Sequence, residues 1–135
     1  MDPSLLKVLK QIVDEKGRQL VDEFYDDLLN SSQSLPHSFR NTDMEAQKER
    51  MVEGLEMAVS LFTEGKNASG YLKDLGMRHI AYEVEDNHYP LVEKVLTEVL
   101  NRYGRTYLEG FDGGEFSQAV VNGMRAGASG LLKVS

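Results

Sequence analysis

The sequence predicts an all-α domain, and three observations carry that expectation. Apolar residues recur at steps of three and four along most of the chain. Helix-start signatures stand before several of those runs. No segment alternates apolar and polar residues as a half-buried strand would.

Taken in order, Asp2-Pro3 reads as an N-cap followed by a first helical residue. Leu5, Leu9 and Ile12 then recur at helical spacing, and Leu6 and Val13 widen the stripe. Gly17 marks a break or tight corner, after which a second helix is expected from Arg18 to about Asn30. Residues 30–34 are polar and turn-like, and Leu35 to Phe39 suits a helical turn at most. Thr42 to Glu45 fits the capping box, with Thr42 as the cap and glutamate three residues on. The helix it opens should run to about Glu64 and stop at Gly65. A shorter helix is expected from about Tyr71 to His79 or Tyr82, then a polar corner at residues 83–87. Pro90 opens a further helix with a broad apolar face. The last helix spans about Glu115 to Lys133. The expectation is six main helices and a short one, with the third and fourth helical region short or irregular.

Composition narrows the chemistry. A chain of 135 residues suits one domain over 1–135, with 41% hydrophobic and 27% charged residues as in an ordinary soluble globule. A net charge of -7 argues against a phosphate-tracking nucleic-acid binder. The absence of cysteine excludes disulfide scaffolds, thiolate zinc sites and cysteine nucleophiles. No run approaches the ~18 apolar residues of a membrane span, and no leader pattern opens the chain. The expected setting is cytoplasmic, with chemistry drawn from His, Tyr, carboxylates or a bound cofactor.

The informative residues are polar groups on faces that otherwise point inward. Met44, Gln47, Met51, Leu55, Ala58 and Phe62 follow one another at steps of 3, 4, 4, 3 and 4, so Gln47 interrupts an apolar stripe. Leu72, Leu75, His79 and Tyr82 share the next helix's face, where His79 is the interruption. Tyr25 lies on the buried side of its helix beside Val21 and Leu28. Singly, each has an ordinary structural reading: a core histidine bonded to a carbonyl, a solvated glutamine, a tyrosine bonded locally. Together they carry more weight, because a buried polar group costs about 1–3 kcal/mol unless it finds a partner. His37 and His88 sit in turn-like segments and are expected to be exposed.

These residues resemble those of bacterial globins. The run from Leu75 through His79 to Val84, continuing through Asn87-His88-Tyr89-Pro90, is similar to the proximal histidine and following corner of single-domain globins and flavohaemoglobin haem domains. Phe24-Tyr25, with Phe39 fourteen residues beyond Tyr25, matches that family's distal tyrosine and haem-stacking phenylalanine. Gln47, thirty-two residues before His79, falls at the distal glutamine position. Met51 takes the place usually held by a leucine. The resemblance covers roughly residues 5 to 108 and fades in the last helix.

The resemblance implies the globin fold and a b-type haem whose iron His79 ligates, the other imidazole N–H finding an acceptor such as the Leu75 carbonyl. Tyr25 and Gln47 would donate hydrogen bonds to bound O2, with CO and NO as further diatomic ligands. Phe39, Met51, Leu55, Val95 and Leu96 would exclude water, and Leu75, Val84 and Tyr89 would complete the pocket. Arg78 is either a propionate partner or a solvated surface charge. The family's glutamate from the last helix, tied to the proximal histidine, has no counterpart, since nothing acidic follows Glu115. The function so implied is reversible O2 binding for transport or sensing. One alternative is nitric-oxide dioxygenation with an external reductase; another is a haem-free regulatory domain that dimerises. Ala119, Gly123 and Gly127 lie at steps of four in the last helix. They suit either a tight crossing with the helix from Pro90 or a homodimer interface built from those two helices.

Overall fold

The computed structural model describes residues 1–68, 70–72, 74 and 87–134, with side chains through residue 126. Helix α1 spans Pro3–Ser31, and the Asp2 carboxylate caps it by accepting from the Ser4 amide at 2.8 Å. Such a cap contributes about 1 kcal/mol. The two helices expected on either side of Gly17 are arms of this one run, kinked at Lys16 with φ -137° and ψ 20°. Gly17 serves the packing beside the kink. A Cβ there would stand 3.3 Å from a Val52 methyl, so the missing side chain lets the third helix approach.

Helix α2 is the single turn Leu35–Ser38, as the prolyl sequence suggested. Helix α3 spans Met44–Thr63. Its cap is Asp43 rather than the expected Thr42: the Asp43 carboxylate accepts from the Glu45 and Ala46 amides at 3.1 and 3.3 Å. A carboxylate is the stronger acceptor and is favoured by the helix N-terminal dipole, while the Thr42 amide closes the preceding turn onto the Phe39 carbonyl. The helix ends where expected, with Gly65 at φ 69°.

Residues 70–72 and 74 are helical, and the Leu72 amide bonds the Ala68 carbonyl at 3.0 Å. Residue 73 and residues 75–86, which hold the rest of the expected helix and most of the corner after it, lie outside the described residues. Helix α4 spans His88–Gly104. It starts two residues before Pro90, which sits in the first turn, where a missing N–H costs no hydrogen bond. Helix α5 spans Gly114–Val134. Its entry is held by the Asn101 side-chain oxygen accepting from the Gly113 amide at 2.8 Å and by Asp112 accepting from the Gly114 amide at 2.9 Å.

Helix α1 packs against α3 and α4, and α5 packs against α4. The core between them is built from fully buried Leu9, Ile12, Leu20, Val21, Val99, Leu100 and Phe116. Burying each such side chain contributes about 1.5–3 kcal/mol. The α4–α5 corner is close: a Cβ on Gly104 would overlap the buried Phe111 ring. Among the described residues there is no strand, and no helix is long and apolar enough to cross a membrane.

Candidate functional site

The stripe of α3 that Gln47 interrupts faces a cavity of about 440 Å³, enclosed by the end of α1, the α2 turn, α3, residues 71 and 72, α4 and α5. Gln47, Met51, Leu55 and Ala58 all line it, because steps of three and four hold them on one face of the helix. Phe62, at the far end of the same stripe, leaves the cavity and packs edge-on against Phe116 with ring centroids 5.8 Å apart.

Tyr25 enters from α1 and is only 4% exposed. Phe24 and Phe39 clamp its ring edge-to-face, at centroid distances of 5.1 and 5.9 Å. Gln47, in the first turns of α3, reaches it: Gln47 Nε2 donates to the Tyr25 hydroxyl oxygen at 3.0 Å. On the other side of the amide, Arg50 Nη2 donates to Gln47 Oε1 at 3.3 Å. The two polar interruptions thus meet inside a largely apolar wall. Arg50, Glu53 and Met57 line the cavity while exposed, and they mark its opening.

Of the residues singled out in the sequence, Tyr25, Phe39, Gln47, Met51, Leu55, Tyr89 and Leu96 converge on this one cavity. Val95 is buried but is not among the lining residues; Val92 and Leu96, on the adjoining row of α4, line the wall instead. Leu75, Arg78, His79 and Val84 lie outside the described residues. Val120, Val121 and Met124 supply the wall from α5. Sequence reasoning missed them because an apolar stripe shows that a helix is covered without showing what covers it. Arg50 was missed too; its position three residues after Gln47, on the same helical face, was the available signal.

His88 overturns an expectation. It is 3% exposed, not solvated, and its Nε2 lies 2.8 Å from the Ser34 hydroxyl. The cause is the early start of α4, which makes His88 a helical residue facing the loop before α2. His37 is exposed, as expected. Beside His88, Tyr89 presents its ring to the Arg125 guanidinium at 5.5 Å. A cation therefore approaches Tyr89 from the last helix. Gly123 serves a close crossing within the chain, since a Cβ there would stand 2.6 Å from Leu72 Cβ.

Among the described residues no group of three or more His, Cys, Asp or Glu is placed to hold a metal ion by itself. A protein-family model described as Globin matches residues 22–121. Neither a curated protein nor a solved structure matches the chain.

Proposed function

The chain belongs to the globin family and has its all-α fold, and from that premise we propose that it holds a b-type haem in the cavity below Tyr25 and Gln47 and binds O2 reversibly there. The observation that carries this reading is the hydrogen-bonded Tyr25–Gln47 pair on the wall of a largely apolar cavity of about 440 Å³. The residues present fit the group. Phe39, Met51, Leu55 and Leu96 offer apolar contact to a flat macrocycle, and Arg50 at the opening offers a cation to its acidic substituents. His79 would hold the iron, and Leu75, Arg78, Val84 and Tyr89 are proposed as further residues of the haem pocket.

A bound ferrous haem would supply reversible binding of diatomic gases, with negative charge building on the bound O2. The protein's part follows from its own side chains. Tyr25 and Gln47 both line the cavity and carry donors, and donors directed at a ligand that has gained negative charge would slow its escape. At about 1–3 kcal/mol apiece, each is worth up to about a hundredfold in dissociation rate. CO gains less charge and draws less benefit from the same donors. The apolar wall excludes water, which strengthens those hydrogen bonds and protects the bound ligand from protons.

Haem reconstitution tests the reading. Stoichiometric uptake with a Soret band is expected, together with an O2 adduct that forms and dissociates reversibly. Protein that takes up no haem under these conditions would sink the proposal. His79→Ala is expected to lose the histidine-ligated signature in the ferrous spectrum; an unchanged spectrum and haem affinity would remove His79 from that role.

A further inference from the structure

The side-chain amide of glutamine presents an acceptor and a donor of nearly equal shape. Its contact with Tyr25 does not by itself choose between them, because a phenol hydroxyl can donate or accept. With Nε2 towards Tyr25, the glutamine is a donor at the cavity wall. Turned over, it would present Oε1, an acceptor that repels a ligand carrying negative charge. Something beyond the Tyr25–Gln47 pair has to decide.

Arg50 is placed to decide it. Its guanidinium carries only donors, so the group it touches on Gln47 has to be the oxygen, and Nη2 lies 3.3 Å from Oε1. With the oxygen so engaged, Nε2 is left facing the Tyr25 hydroxyl, where it donates at 3.0 Å. The spacing of three residues along α3 puts the two side chains on neighbouring turns of one face. Arg50 itself is exposed at the cavity opening, so it acts from outside on a buried amide.

We propose that Arg50 is a positioning residue that holds the Gln47 amide with its donor towards Tyr25 and the cavity, and so sets the gas-binding strength of a site whose opening it lines. The inference rests on the haem and O2 reading above, and its test separates the two.

The experiment compares wild type, Gln47→Leu, Arg50→Leu, Arg50→Lys and the Arg50→Leu/Gln47→Leu double variant as haem-loaded full chains. Two quantities are read: the O2 dissociation rate and the C–O stretching frequency of the CO complex, which reports whether a donor or an acceptor faces the ligand. Arg50→Leu is expected to raise the dissociation rate by about tenfold, the factor one ordinary hydrogen bond contributes, and to raise the C–O frequency. Arg50→Lys, which keeps a cationic donor, is expected to recover most of both. In the Gln47→Leu background the Arg50 change is expected to add nothing, as for two groups acting in series. An Arg50→Leu variant that matches wild type while Gln47→Leu does not would overturn the proposal. So would an effect of equal size in both backgrounds, which would mean that Arg50 acts by its own field. If the protein takes up no haem, or Gln47→Leu changes neither readout, it is the gas-binding reading that fails. Hydrogen exchange of the Gln47 side-chain amide in the ligand-free protein then decides on Arg50. Faster exchange in Arg50→Leu, restored in Arg50→Lys, supports the positioning role, and unchanged exchange overturns it.

Discussion

Gln47 Nε2 meets the Tyr25 hydroxyl at 3.0 Å across two helices, at a point where both residues are at least nine-tenths buried. Each interrupts an apolar stripe and would be costly alone; paired, each supplies the other's partner. Their shared position on the wall of the cavity turns a packing solution into a polar patch with a direction, and both proposals above depend on it.

Removing either donor should weaken O2 retention. In haem-loaded protein, Tyr25→Phe and Gln47→Leu are each expected to raise the O2 dissociation rate by about tenfold to a hundredfold. CO dissociation should change far less. Because the two residues touch, their effects should be non-additive. Stopped-flow ligand replacement measures both rates, and equal effects on O2 and CO would count against hydrogen-bond donation.

The α4–α5 corner should be intolerant of a single methyl. Gly104→Ala places a Cβ inside the space of the Phe111 ring, which is 1% exposed. Overpacking of this kind costs about 1–3 kcal/mol. The loss should appear as a lowered urea midpoint with little change in slope, whereas Gly70→Ala, where a Cβ meets nothing within 4 Å, makes a control.

The link between His88 and Ser34 should matter more for stability than its place in the sequence suggests. His88→Ala removes a buried ring and leaves a cavity, an expected cost of about 1–3 kcal/mol. Ser34→Ala, which removes only the hydroxyl from a more exposed site, should cost less. Thermal unfolding of the two variants ranks them, and equal effects would mean that the hydrogen bond dominates over packing.

Tyr103 should give the protein an alkaline weakness. Burial, aided by the neighbouring Glu23 carboxylate, pushes its phenol up to about 12, whereas an unfolded phenol ionises near 10. Between those values the folded state binds more protons, so stability is full below pH 10 and falls as pH rises towards 12. Tyr103→Phe lacks that term. The stability gap between wild type and variant should narrow by about 1 kcal/mol from pH 10 to pH 11 in urea titrations; parallel curves would contradict the shift.

Much of this protein could be read along the chain. Helical periodicity and the cap and stop residues marked α1, α3, α4 and α5 to within a residue or two at most ends, and the same periodicity exposed Tyr25 and Gln47 as polar groups on inward faces. These are local properties, set by 3.6 residues per turn and by the four unpaired amides at each helix start. Which neighbour covers a face is not local. The kink at Lys16 instead of a clean break at Gly17, the burial of His88, the turning of Val95 away from the cavity and the seating of Arg50 on Gln47 were decided by how the helices cross. The sequence marked Gln47 as a polar group on an apolar stripe; only the tertiary structure buried it, brought Tyr25 to one end of its amide and left Arg50 at the other.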